Sequence, residues 1–161
     1  MYSLFTAAFT VITMAFCSPA FSGSTPADNP SWSVQLRTSG GIAGRGNGNV
    51  LVTSDGKLLY EKPGGPPHTR QTCALKLSSE QLRALSEAVK QSRPEGWKLS
   101  GLNAAAPDAF GYELELRTSD GKRIFKVKWY DNTRDQLPED LLRLSEAVSN
   151  VRLEAAKKCK S

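Results

Sequence analysis

Residues 110–130 read FGYELELRTSDGKRIFKVKWY, from Phe110 to Tyr130. Asp120-Gly121 in the middle is a two-residue hairpin turn, because Asp and Gly tolerate the positive φ values that such a turn requires. Placing the turn sets the register of two strands, over 110–118 and 122–130, with Ser119 facing Lys122. Counting outward puts Leu116 opposite Phe125, Leu114 opposite Val127 and Tyr112 opposite Trp129. The other face pairs Glu115 with Lys126 and Glu113 with Lys128. One face is wholly apolar and the other joins opposite charges, the pattern of an antiparallel sheet packed on one side and solvated on the other.

Working outward, two short strings recur. Leu36-Arg37-Thr38-Ser39 returns as Leu116-Arg117-Thr118-Ser119, and Leu85-Ser86-Glu87-Ala88-Val89 returns at 144–148. The chain therefore reads as strand, hairpin and helix, written twice. In the first copy, Trp32, Val34 and Leu36 alternate with Ser33, Gln35 and Arg37, which predicts a half-buried strand. Strands over 50–53 and 57–61 flank Asp55-Gly56, a second hairpin signal. A helix begins at Ser78, an N-cap that forms a capping box with Gln81, while Leu77 and Leu82 sit at staple positions. Leu82, Leu85 and Val89 form its apolar stripe, and Pro94 and Gly96 close it. A second helix starts near Pro138, with Glu139 and Asp140 favouring the positive end of its dipole. Its stripe is Leu141, Leu144, Val148 and Val151, and it continues toward Lys157. The strand copies lie 80 residues apart and the helix copies 59, so the first copy carries the longer connection. These patterns predict one α+β domain over 32–161, a four- or five-stranded antiparallel sheet with two helices on one face.

Residues 1–22 carry no charged side chain. An apolar stretch over 4–16 is followed by Pro19 and then by the small residues Ala20 and Ser22. This predicts a signal peptide over 1–22, removed before Gly23, and a disordered leader over 23–31. A retained membrane anchor is the alternative, opposed by Pro19 and the hydroxyl residues; lipidation at Cys17 is opposed by bulky Phe16. The expected location is secreted or periplasmic, with the membrane met only through the export segment. Cys73 and Cys159 then remain, and a pair in an exported chain reads as a disulfide, two free thiols being the alternative. The net charge is +5, much of it in Lys157, Lys158 and Lys160. Elsewhere basic and acidic residues alternate, without the aromatic-laced basic cluster of a nucleic-acid protein, so no nucleic-acid partner is expected.

No catalytic constellation is visible, and an enzyme is not expected. His68 is the single histidine, in a Pro-rich loop, and with two distant cysteines it does not supply a zinc site. Asp131, Thr133 and Asp135 start like a calcium loop, but Gln136 stands where glycine is needed and Leu142 where glutamate is needed. The run over 40–48 holds five glycines in nine residues and matches neither a phosphate loop nor a dinucleotide motif. No metal or cofactor is expected. That run is either a plain surface turn or a contact loop in which Gly40, Gly41, Ile42, Ala43, Gly44 and Arg45 offer bare backbone to a protein partner. Trp97 is either a loop anchor packed on the core or an exposed aromatic adding to that contact.

Taken together, Gly40-Gly41-Ile42-Ala43-Gly44 after a strand, Asp108-x-Phe110-x-Tyr112 opening the later hairpin, and Leu137-Pro138 before a terminal helix are similar to the emfourin-like family. Members of that family are small bacterial inhibitors of thermolysin-type metalloproteases. The resemblance spans most of 32–151 and implies a compact four-stranded antiparallel sheet packed on helices, no cofactor and a metalloprotease partner. It rests on Gly40, Gly41, Gly44, Asp108, Phe110, Tyr112 and Pro138. The export signal, the Pro-rich insertion and the cysteine pair depart from the family pattern. The alternative function is a cell-envelope interaction module without inhibitory activity.

Terminal sequencing of the protein from periplasm or medium is expected to start at or near Gly23. An intact Met1 form in the cytosol would contradict export.

Overall fold

The computed structural model describes residues 31–40, 46–64, 71–97, 108–118 and 123–159. The signal peptide expected over 1–22, the expected leader up to residue 30, His68 and the Asp120-Gly121 pair lie outside the described residues. In chain order the elements are β1 (Ser33–Gly40), β2 (Asn49–Thr53), β3 (Lys57–Glu61), β4 (Thr72–Lys76), α1 (Ser79–Gln91), β5 (Phe110–Arg117), β6 (Ile124–Tyr130) and α2 (Glu139–Lys158). Short 3-10 turns, Pro94–Gly96 and Asp131–Gln136, follow α1 and β6. The fold is α+β, with one six-stranded sheet in the order β4-β3-β2-β1-β5-β6 and antiparallel pairing throughout.

The β5–β6 register is the one read from the sequence: Leu116 faces Phe125, Leu114 faces Val127 and Tyr112 faces Trp129, with Glu115 opposite Lys126 and Glu113 opposite Lys128. The Tyr112 and Trp129 rings stack at 5.5 Å. At the centre of the sheet, β1 pairs β5 along its whole length, from Ser33 opposite Arg117 to Gly40 opposite Phe110. Gln35 faces Glu115, and these two are also 80 residues apart. The repeated strands therefore meet about a local two-fold at this pair. Each covers the edge that the other would leave open, and an open edge is a template for aggregation.

Alternation along the strands separates the faces. Val34, Leu36, Val50, Val52, Leu58, Tyr60, Leu114 and Leu116 point to one side and are buried with Leu85 and Ala88 of α1 and Leu141, Leu144, Val148 and Val151 of α2. The sixth strand, β4, goes beyond the five segments legible in the sequence. It is five residues long, and only Cys73 and Leu75 turn toward the core, so its period-two signal is short and sits against a Pro-rich stretch.

The helix boundaries follow local chemistry. Gln81 N–H donates to Ser78 Oγ at 3.2 Å and Ser78 N–H donates to Gln81 Oε1 at 3.0 Å, the reciprocal capping box. Pro138 caps α2, and Asp140 in its first turn accepts from Arg93 N–H at 2.6 Å and from Trp97 Nε1–H at 2.9 Å. Burial opposes ionisation of Asp140, but these donors outweigh it and hold the carboxyl below its ordinary pKa. The exit from α1 is thereby locked to the start of α2. At the other end of α2, Cys159 is bonded to Cys73 of β4, with Cα atoms 6.2 Å apart and a sequence separation of 86.

Closing so long a loop restricts the unfolded chain. Replacing both cysteines by serine is expected to lower stability by about 2–4 kcal/mol in urea unfolding. A double variant as stable as the parent would show that packing alone holds β4 to α2.

Candidate functional site

The site is the base of the 40–48 loop, at the end of the central strand. Thr38 organises it. Its Oγ1 donates to the Gly48 carbonyl at 3.0 Å and accepts from Asn47 N–H at 2.6 Å, while its N–H donates to Asn49 Oδ1 at 3.0 Å. Gly46 N–H donates to the Gly40 carbonyl at 3.0 Å and closes the loop. Gly40 and Gly46 have φ of 83° and 63°, a region that side chains disfavour. A Cβ at Gly40 would strike the Ala109 carbonyl, and one at Gly46 would strike the Thr38 backbone. Glycine is required at both ends of the loop for these reasons. Gly41, Ile42, Ala43, Gly44 and Arg45 lie outside the described residues.

From behind, Arg152 of α2 donates through Nη1 to the Asn47 carbonyl at 3.2 Å. Arg152 is 6% exposed. Beside the base lies an open cavity of about 330 Å³, bounded by Thr38, Ser39, Asn49, Gly111, Tyr130 and the charged residues Arg37, Glu113 and Lys128 among others. Glu113 receives three cations: Arg37 Nη1 at 3.0 Å, Lys126 Nζ at 3.0 Å and Lys128 Nζ at 2.9 Å. Burial alone would raise its pKa, but the Lys128 and Lys126 ammonium groups outweigh burial and lower it from 4.5 to about 2. A carboxylate so matched holds no proton at neutral pH and is a poor general base. Next to it, Glu115 is buried and pairs with Arg117 Nη2 at 2.7 Å. What this geometry offers is a braced loop beside a patterned ionic surface.

Trp97 is placed elsewhere. Its ring is 8% exposed, in the core, and its indole N–H is spent on Asp140. Asp140 and Arg152 are twelve residues apart on α2, about 18 Å along the helix axis. Trp97 is thus an anchor at one end of α2, and the loop base is at the other. The indole had a polar partner to reach, which drew the ring inward.

Thr38, Asn49 and Arg152 are the residues that the sequence reading did not single out. Arg152 carried a signal: it follows Val148 by four residues and so interrupts the apolar stripe of α2 with a charge. Thr38 and Asn49 flank the glycine run, but nothing local marks their hydrogen bonds. Among the described residues, no group of three His, Cys, Asp or Glu comes together to hold a metal. Neither a family model nor a curated protein sequence matches this chain.

Two outcomes follow from this geometry. Thr38→Val keeps the shape but removes the hydroxyl, and is expected to cost about 1–3 kcal/mol because the Asn47 and Gly48 groups lose their partner. An unchanged urea midpoint would show that these groups are satisfied by water. Glu113 titrates lower in the folded state, so its contribution is present above pH 4.5 and is lost as the pH falls toward about 2. Glu113→Gln is expected to flatten that part of the acid limb of stability against pH. An acid limb identical to the parent's would assign the loss to other carboxylates.

Proposed function

We propose that the mature chain is an exported binding protein that engages a partner protein through the 40–48 loop, and that the partner is a thermolysin-type metalloprotease which it inhibits. The observation that carries this reading is the closure of the loop base: Gly46 N–H bonds the Gly40 carbonyl, and Thr38 near the end of the central strand holds Asn47 and Gly48. A loop that must be ordered on binding loses affinity in proportion to the freedom it gives up. Holding the ends at Gly40 and Gly46 reduces that loss, and the small residues Gly41, Ala43 and Gly44 let backbone approach a cleft closely. The resemblance of the glycine run and of Asp108, Phe110, Tyr112 and Pro138 to the emfourin-like inhibitors supports the choice of partner class. Export, with the Cys73–Cys159 bond, suits a protein that meets proteases outside the cytosol.

The test titrates a thermolysin-type protease with mature protein and with a Gly44→Trp variant. The parent is expected to reduce residual activity in proportion to its amount, and the variant to inhibit more weakly by over an order of magnitude. No inhibition by micromolar parent would remove the inhibitor reading and leave the cell-envelope module. Equal inhibition by both would keep inhibition and move the contact away from this loop.

A further inference from the structure

Arg152 holds a charge at a core position. It lies in α2 between Val151 and Ala155, both buried, and is itself 6% exposed. Its Nη1 is committed to the Asn47 carbonyl, and its Nε–H has no acceptor among the described residues. Among those residues no carboxylate forms an ion pair with it, either. A buried cation without an anion is costly, and an apolar residue of similar volume is often at least as stable in its place. Retaining the charge there has to be explained by something other than packing.

Arg152 also lines an open cavity of about 510 Å³, with Tyr112, Trp129, Ser149, Asn150 and Leu153. That volume lies within the range of small-molecule sites. One wall is the stacked pair Tyr112–Trp129, and Leu153, a large apolar side chain 52% exposed, stands at the mouth. Arg134 and Glu146, also in the lining, neutralise each other at 2.6 Å. Asp131 contributes one further negative charge to the lining, which disfavours a dianion.

We propose that this cavity binds a small monocarboxylate with an apolar body, the carboxylate on the Arg152 guanidinium and the body against Tyr112 and Trp129. The planar guanidinium matches a carboxylate in geometry and charge. The buried Nε–H lacks an acceptor and would be satisfied by a ligand oxygen. Nη1 donates to the Asn47 carbonyl, so the Asn47 amide reports on the site. This site is independent of the protease reading.

The experiment is NMR titration of the full mature chain, reading Arg152 Nε–H and the amides of Asn47, Ser149 and Asn150. The probes are benzoate, neutral benzamide and inorganic phosphate. Benzoate is expected to give saturable shifts at millimolar concentration or below, with benzamide giving none and phosphate weaker, unsaturated ones. Arg152→Gln is expected to abolish the benzoate response. Ser149→Trp keeps Arg152 and fills the cavity, and is expected to abolish it as well, which separates loss of the site from loss of the fold. No saturable benzoate shift, an equal response to benzamide or phosphate, or an undiminished response in folded Ser149→Trp would each overturn the proposal.

Discussion

The antiparallel pairing of β1 with β5 joins the two halves of the chain into one sheet, and the remaining elements take their places from it. It runs from Ser33 opposite Arg117 to Gly40 opposite Phe110 and lets each half cover the other's open edge. Its register also aligns the burial alternation of the halves, so that Val34 and Leu36 share a face with Leu116 and Leu114. A shift of one residue would turn one half's apolar face into solvent. Because β1 ends at Gly40, the pairing decides where the glycine loop leaves the sheet.

α2 serves as the strut behind that sheet. Asp140 at its start holds Trp97 and the exit from α1, Arg152 farther along holds Asn47 in the loop base, and Cys159 at its end holds β4. The opposite face of the sheet is mainly polar and charged, with Leu51, Leu59 and Ile124 among its apolar residues. Exposed ion pairs are individually weak. Glu113 differs from an exposed pair because it is largely covered and meets three cations at once. Removing that carboxylate would leave Arg37, Lys126 and Lys128 facing one another, so its role is to keep like charges compatible with a flat surface as much as to add stability.

Much of the fold was legible because its signals are local. Counting outward from Asp120-Gly121 in the sequence reproduces the β5–β6 register, and the Ser78–Gln81 box gives the start of α1 within a residue. The Cys73–Cys159 bond was legible through compartment chemistry rather than geometry. β4 was not, since five residues with two inward side chains give too short a period. Trp97 could be read either way until Asp140, 43 residues later, supplied a partner for its indole. The base of the loop was hidden for the same reason: Thr38 and Asn49 are brought together by the β1–β2 pairing, and Arg152 comes from 105 residues beyond Asn47. Long-range polar contacts leave little trace in a single sequence except where, as at Arg152, a charge breaks an apolar stripe.

The loop base is built as a rigid continuation of the central sheet. Native-state hydrogen exchange of the free protein tests this most directly, through the amides of Thr38, Gly46 and Asn47. Protection comparable to that of Leu36 and Leu114 in the central strands is expected, because all three N–H groups donate within the base. Exchange of Gly46 and Asn47 at the rate of an unstructured peptide would contradict it.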